Sequence, residues 1–339
     1  MRKYLKNFLL RRVKKIGNAG VRDRIKKRLF GGLFFPSTIV IDVTSICNAE
    51  CPFCPRTLVS SGPGVNMEDQ VFYDLVDQAD HLGIKETRLY ASGESLLHPN
   101  IDKYIRYLKD KKFHVIISTN AQFLDRHFEA LSKVDWIKYS IEGWDRKSYE
   151  YYRKNCSYDV VLSNIRAFKE YLSGQKIKPY ISISVMVNRE TDIEKFNGLW
   201  SKYVDRVDYG KTMGVFDWEE GRIRYRDFKD ERCRANMYSF QLRKNVDYCA
   251  NIFETITFSP SGKAVICCQD FNGRIVLGDI KKTGLKEIIR SPARRALQNE
   301  FMRGSIDTCK DCVIFYEMDD RSRDDFNGKL SGIQKKEGV

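Results

Sequence analysis

Residues 47–54 read Cys47-Asn48-Ala49-Glu50-Cys51-Pro52-Phe53-Cys54 and directly follow the apolar run Ser37–Val43. Three thiolates spaced C-x3-C-x2-C fall one short of a structural zinc site, which takes four protein ligands. A zinc knuckle would borrow a histidine, but the chain has only 4, and the closest in sequence is His81. A disulfide would leave one thiol over. Three thiolates suit three irons of a cubane [4Fe–4S] cluster, with the fourth iron open to an external ligand. A strand, a cysteine loop and then a helix would set such a cluster at the C-terminal mouth of a parallel sheet, where barrel folds keep their chemistry.

Outward from this loop, strand-like and helix-like stretches alternate. The strand runs are Ser37–Val43, Glu86–Tyr90, His114–Ser118, Trp136–Ile141, Tyr180–Val187 and Arg206–Tyr209. Between them, Ile101, Tyr104, Ile105 and Leu108 form one helical stripe, and Val160, Val161, Ile165, Phe168 and Leu172 form another within Asp159–Leu172. Alternation of this kind predicts an α/β fold with a parallel sheet and covering helices. Periodicity alone leaves a partial barrel and a doubly wound sheet equally open.

The cysteine loop resembles the signature of the radical S-adenosylmethionine (SAM) enzymes, with Phe53 as the aromatic before the last cysteine. The resemblance covers roughly Ser37–Gly210 and implies a partial (β/α)6 barrel. It implies that Cys47, Cys51 and Cys54 are the catalytic cluster ligands and that Phe53 lies near the adenine. Three further stretches match in order, each after a successive strand. Ser92-Gly93-Glu94 is similar to the family's Gly-Gly-Glu contact to the SAM amino group. Ser118-Thr119-Asn120 is similar to its Ser/Thr-Asn-Gly contact. Ser140-Ile141-Glu142-Gly143, with Tyr149 and Arg153 downstream, is similar to its fourth-strand stretch. The resemblance assigns SAM binding to Ser92, Gly93, Glu94, Ser118, Asn120, Ser140 and Arg153, the last as a guanidinium fork for the SAM carboxylate. Taken singly, each stretch also reads as an ordinary turn with a helix cap.

A second cysteine set comprises Cys249, the Cys267-Cys268 pair and Cys309-x2-Cys312. Phe253–Phe258 and Lys263–Cys267 flank the turn Ser259-Pro260-Ser261-Gly262, which predicts a hairpin. Helices are expected at Thr283–Ile289 and Ala293–Met302. Cys249, Cys267, Cys309 and Cys312 fit either a Zn(Cys)4 site or a fully ligated [4Fe–4S] cluster. The set resembles the small α+β auxiliary-cluster module called the twitch or SPASM domain, through Gly262-x4-Cys267 and the distal CxxC. That resemblance favours iron–sulfur and Cys267 over Cys268, so two [4Fe–4S] clusters are expected in all. Cys156 and Cys233 read as buried small hydrophobes.

The chain has 339 residues, 42% apolar and 12% aromatic, enough for a sizeable core. Its formal charge is +14; residues 1–30 hold twelve Lys/Arg and one acid, so +11 of that charge lies there. Within residues 3–16, Leu5, Phe8, Leu9, Val13 and Ile16 alternate with Lys and Arg, a basic amphipathic helix. It would either meet an anionic membrane surface or pack on the body of the protein. Nucleic acid is disfavoured as a partner, because no binding fold backs the basic block. With no apolar run near the ~20 residues that span a bilayer and no signal-peptide pattern, a cytoplasmic location is expected, with peripheral membrane attachment as an alternative. The expected divisions are a basic extension at 1–35, the barrel at 36–215, a bridge at 216–246, the auxiliary domain at 247–318 and a loose charged tail at 319–339. The bridge reads equally as a long surface helix.

The family resemblance implies reductive cleavage of SAM to a 5′-deoxyadenosyl radical and hydrogen abstraction from a substrate. A fully ligated auxiliary cluster would accept the substrate radical's electron, as in the aminocyclitol dehydrogenases that the twitch arrangement resembles. The favoured reading is therefore an oxidoreductase acting on an alcohol carbon of a sugar- or cyclitol-like substrate, free or lipid- or carrier-linked. A flavodoxin or ferredoxin would supply electrons. The alternatives are a peptide- or protein-modifying radical SAM enzyme and, from a different class, a non-catalytic metal-binding scaffold.

Overall fold

The six sequence-predicted runs become six parallel strands: β1 (Thr38–Ile41), β2 (Glu86–Leu89), β3 (His114–Thr119), β4 (Trp136–Ser140), β5 (Tyr180–Val187) and β6 (Arg206–Lys211), side by side in that order. The computed structural model describes residues 35–59, 64–211, 215–217, 222–224, 230–242, 249–268, 270, 273, 275–303, 312 and 316–334. The predicted helix at 3–16 and Cys309 lie outside the described residues.

Side chains alternate along each strand with the period of two that a pleated strand imposes. Ile39, Ile41, Leu89, Val115, Ile117, Ile137, Tyr139, Ile183 and Val185 are buried in one continuous core with the helices. Those helices include α1 (Asp69–His81), α2 (Ile101–Asp110), α3 (Arg146–Tyr152), α4 (Tyr158–Ser173) and α5 (Ile193–Trp200). α2 buries the predicted stripe Ile101, Tyr104, Ile105 and Leu108, and α4 buries Val161, Ile165, Phe168 and Leu172, leaving Val160 exposed. The opposite strand face is polar and only partly covered, with Glu86, Arg88, Ser118, Lys138, Ser140 and Ser184 on it. The sheet does not close on itself, so the architecture is a partial barrel with that polar face inside.

Beyond β6 a short antiparallel pair, β7 (Val215–Asp217) and β8 (Arg222–Arg224), is followed by a one-turn helix, Glu231–Ala235, and β9 (Phe240–Leu242). These pieces of the expected bridge are not one long helix. The predicted hairpin forms as β10 (Thr255–Phe258) and β11 (Lys263–Val265), turning at Gly262 with φ +86°. With β12 (Val276–Asp279) it does not stand apart. β10 pairs in parallel with β1, Thr38 opposite Thr255 and Ile41 opposite Phe258, so the main sheet has nine strands. The two expected helices appear as α6 (Leu285–Ile289) and α7 (Pro292–Arg303).

The tail departs from expectation. β13 (Tyr316–Met318) pairs with β9, and residues Asp320–Gln334 form a helix, α8, where a loose charged segment was expected. Its apolar stripe is thin, but Phe326 is buried edge-on against Tyr238 at 5.9 Å and Ser322 is fully buried. Lys329 donates to the carbonyls of Asn188 and Thr191, just past β5. Tertiary anchoring, rather than local periodicity, orders the segment.

Candidate active site

The loops that follow β1 to β4 meet at the C-terminal edge of the sheet. In the first, Thr44 bridges to Asn66, and the cysteine loop runs into a one-turn helix, Pro55–Val59. The Thr57 hydroxyl donates to the Cys54 carbonyl at 2.7 Å, and the Glu50 amide donates to the Lys154 carbonyl at 2.9 Å, tying the loop to the end of α3. Cys51 is 3% exposed, and Cys47 and Cys54 are half-buried. Burial pushes the Cys51 thiol up to about 12; the Arg153 guanidinium opposes this, while Cys54, Glu142 and Cys47 reinforce it. The three sulfurs therefore lie within one another's field, in a place hostile to bare thiolates. Among the described residues, no three Cys, His, Asp or Glu side chains converge tightly enough to hold a single metal ion. Thiolates bound to separate irons of a cube stand farther apart than the ligands of one ion.

After β2, Asp42 fixes the turn. The Ser92 amide donates to its Oδ1 at 3.2 Å and the Ser92 hydroxyl to its Oδ2. Burial raises the Asp42 carboxyl to about 6, against hydrogen bonds from Ser92 and Gly93 that lower it. Gly93 presses on the first loop so closely that a Cβ there would lie 2.1 Å from the Thr44 carbonyl oxygen. Glu94, 4% exposed, accepts from the Leu96 amide at 3.1 Å and the Asn120 amide at 2.7 Å, bracing the β2 and β3 loops together. The Asn120 side chain donates to Asn48 Oδ1 at 2.8 Å, reaching into the cysteine loop, and Asn48 Nδ2 donates to Cys156 Sγ at 3.3 Å. Ser118 and Ser140 share a hydrogen bond of 3.0 Å between β3 and β4.

The fourth loop turns at Gly143, φ +101°, where a Cβ would fall 2.3 Å from the Tyr149 amide nitrogen. α3 then starts from a capping box of Asp145 and Ser148 and delivers Arg153 one residue past its end. Arg153 forms a buried ion pair with Glu142 and donates to Cys51 Sγ at 3.4 Å. Its guanidinium carbon lies 5.6 Å from the Phe53 ring centre, and that ring lies 6.2 Å from Tyr152. Burial alone would lower the Arg153 pKa, but Glu142, Cys51 and Tyr149 outweigh it and raise it. Sequence reading gave no role to Asp42, Asn48 or Glu142. Asp42 and Glu142 each carried a signal, a carboxylate at the end of a strand run.

In the second set, Cys249, 9% exposed, caps a one-turn helix, Ala250–Phe253. Cys267 and Cys268 follow β11, and the Cys267 carbonyl accepts from the Asp270 amide at 3.0 Å. Cys249 lies close enough to Cys268 to raise its pKa, after burial as the larger cause. Cys312 is half-buried. A pocket of about 220 Å³ connects the two regions, with Asp42 and Ser92 at one side, Cys267 and Cys268 at the other, and Thr257 and Ser259 between.

A family model described as "Radical SAM superfamily" matches residues 41–196, and one described as an iron–sulfur cluster-binding domain, SPASM, matches residues 249–313. The chain belongs to the radical SAM superfamily. Of the curated relatives of this radical SAM protein, GTP 3′,8-cyclase of Chlorobaculum tepidum is 31% identical over 115 residues, 32% of this chain and 34% of that one. The chain thus matches only about a third of that relative's length. The solved BtrN complex with AdoMet and 2-DOIA aligns with a TM-score of 0.54 at 17% identity, covering 82% of this chain and 93% of that one. Streptococcus suis SuiB bound to the precursor peptide SuiA gives 0.62 at 14% identity, covering 94% and 87%. These two likenesses are likenesses of fold.

Membership brings SAM and [4Fe–4S] clusters as cofactors. The residues fit them. Three cysteines that share one field suit separate irons of a cube, and the Arg153 guanidinium beside Cys51 would offset the charge of the bound thiolates.

Proposed function

We propose that this radical SAM protein is an oxidoreductase that converts an alcohol carbon of a sugar- or cyclitol-like substrate to a carbonyl. Cys47, Cys51 and Cys54 would hold the SAM-binding cluster, and Cys249, Cys267, Cys309 and Cys312 an auxiliary one. When bound, the reduced cluster and SAM supply a 5′-deoxyadenosyl radical able to take hydrogen from an unactivated carbon. The chain's own residues position and shield. Backbone at Ser92–Glu94 and the side chains of Ser118, Asn120, Ser140 and Arg153 would hold SAM, with Phe53 beside its adenine. Glu94 and Asp42 keep those loops in register, and Arg153 sets positive charge beside Cys51.

The observation that carries the oxidative reading is the pocket between Ser92 and Cys267/Cys268. Its lining includes the hydroxyls of Ser45, Thr257, Ser259 and Ser261 and the carboxylates of Asp42 and Asp270, which suit a polyol, and it reaches the Cys267/Cys268 pair of the proposed electron acceptor. BtrN, solved with 2-DOIA, offers a precedent in the same fold. A flavodoxin or ferredoxin would supply the electron. The basic stretch 1–30 would bring the enzyme to an anionic membrane surface.

The test is anaerobic reconstitution followed by iron and sulfide counting, then dithionite, SAM and mass spectrometry for 5′-deoxyadenosine. About eight irons per chain, as two four-iron clusters require, together with deoxyadenosine is the expected result. About four irons plus one zinc would remove the electron-acceptor role. Folded protein without deoxyadenosine would refute the enzyme.

A further inference from the structure

The inner face of the partial barrel carries more cation than it neutralises. Lys138 on β4, Ser182 on β5 and Arg206 on β6 are register partners on neighbouring strands, and Arg88 rises from the same face of β2. Arg206 is paired with Asp208 at 2.6 Å and Arg88 with Glu86 at 3.2 Å. Lys138 has no anionic partner within ion-pair distance and no hydrogen bond among the described residues. It rests on the face of Trp136, 4.3 Å from the ring centre, and the Trp136 indole is itself held by a 2.9 Å hydrogen bond to the Ser182 hydroxyl. The Nε of Arg88 is buried and also without a partner. Burial lowers the Lys138 pKa; Asp208 opposes this, while Arg88 and Arg206 add to it, so all four groups share one field.

A partly buried, unpaired ammonium beside a guanidinium with a free donor is costly unless something else completes it. A concave, weakly solvated wall also concentrates the field of a single charge sign and draws in an anion. Arg88 lies on β2 just before Ala91 and Ser92, which line the pocket already described, so the two regions adjoin along one strand.

We propose that the inner barrel face binds an oxyanion of the substrate, a phosphoryl or carboxylate group, through the Lys138 ammonium and the Arg88 guanidinium. This rests on the oxidoreductase reading above and narrows its substrate from a neutral polyol to an acidic one. The alcohol end would occupy the pocket at Ser92 and Cys267/Cys268, while the anion is held below on β2 and β4. Lysine supplies a point charge and arginine a directional donor, a combination that suits either oxyanion.

Calorimetric titration of the full-length protein with pyrophosphate and with malonate separates the two sources. One of them should bind, and its identity names the group. Lys138→Gln and Arg88→Gln should each weaken that binding at least tenfold, while Lys138→Arg should largely keep it. The exposed Lys176→Gln should leave it unchanged, which separates this site from the non-specific pull of the basic residues 1–30. Thermal melts of each variant monitor folding. Should Lys138→Gln fail to fold, the Lys138→Arg and Arg88→Gln pair decides. No binding of either probe, or binding indifferent to these substitutions in folded protein, would overturn the proposal. Deoxyadenosine formation on the same samples keeps the two readings apart. A protein that cleaves SAM but ignores both anions refutes only the oxyanion site, and one that binds an anion through Lys138 but never cleaves SAM refutes only the enzyme.

Discussion

Asp42 shows how one carboxylate can organise a loop and still be a liability. It lies 6% exposed at the end of β1 and collects the Ser92 amide and hydroxyl. Burial raises its pKa from 3.8 to about 6, so the folded protein holds a proton more tightly than the unfolded chain does between those values. Its stabilising contribution is therefore full below about pH 4 and lost as pH rises through about 6, at a cost on the order of 3 kcal/mol. Asp42→Asn keeps an acceptor for Ser92 without the charge. The melting temperature of the variant minus that of the wild type should grow from pH 4 to pH 7 and then level off. A difference that is flat or shrinks over that range would contradict the assignment. Residues of this kind were hard to read from the chain. The cysteine spacing was legible as a family signature, and the family models span it. Asp42, Asn48 and Glu142 work through partners 50, 72 and 11 positions away, Ser92, Asn120 and Arg153, and no local pattern announces such pairings.

At the scale of elements, the six parallel strands were legible almost to the residue, because buried strands must be runs of Val, Ile and their like between turn signals. The hairpin β10–β11 was legible for the same reason, down to its glycine turn. Its partner was not. β1 and β10 are joined across more than two hundred residues, and two strands that each bury an apolar face do not declare their neighbour. α8 was missed because a glycine and many charges mask a stripe that amounts to little more than Phe326 and Leu330. α3 illustrates the reverse case, in which a bland cap carries weight. The Asp145 carboxylate accepts the Ser148 amide at 2.8 Å, and the Ser148 hydroxyl accepts the Asp145 amide at 3.1 Å. This cap fixes the start of the helix whose end presents Arg153 to Cys51. Asp145→Ala should cost about 1 kcal/mol, seen as a lower urea midpoint with unchanged slope. The reconstituted variant should also bind SAM more weakly, since Arg153 loses its fixed position. A variant with full SAM affinity would show that the cap serves stability alone.

At the scale of the whole molecule, the sheet makes the barrel and the cysteine hairpin one structure. The family matches divide the chain between residues 196 and 249, yet β10 lies against β1 in a four-residue parallel register. Ile256 and Phe258 are buried in the same core as Ile39 and Ile41. α6 is fastened to α1 by the Leu285 amide, which donates to Gln78 Oε1 at 2.7 Å. Ending the chain at residue 246 would strip β1 of its partner β10, leaving it paired with β2 alone, and expose an unpaired, apolar edge of the kind that templates aggregation. Each fully buried aliphatic or aromatic side chain lost would also forfeit roughly 1.5–3 kcal/mol, against a net stability on the order of 5–15 kcal/mol for a whole domain. The truncated chain 1–246 should therefore be insoluble or aggregated by size-exclusion chromatography, even though every residue of the proposed SAM-binding loops is present. Full-length protein carrying Cys267→Ser and Cys312→Ser keeps the strand pairing while removing two proposed ligands. It should stay monodisperse, melt in one transition and bind fewer irons. The contrast separates two ways in which the C-terminal segment could matter. If 1–246 proves soluble, folded and able to bind SAM, the sheet continuity is incidental and the barrel is an independent unit. If the double serine variant collapses as the truncation does, the auxiliary site is itself the structural support, and the pairing of β1 with β10 is too weak to hold the two parts together.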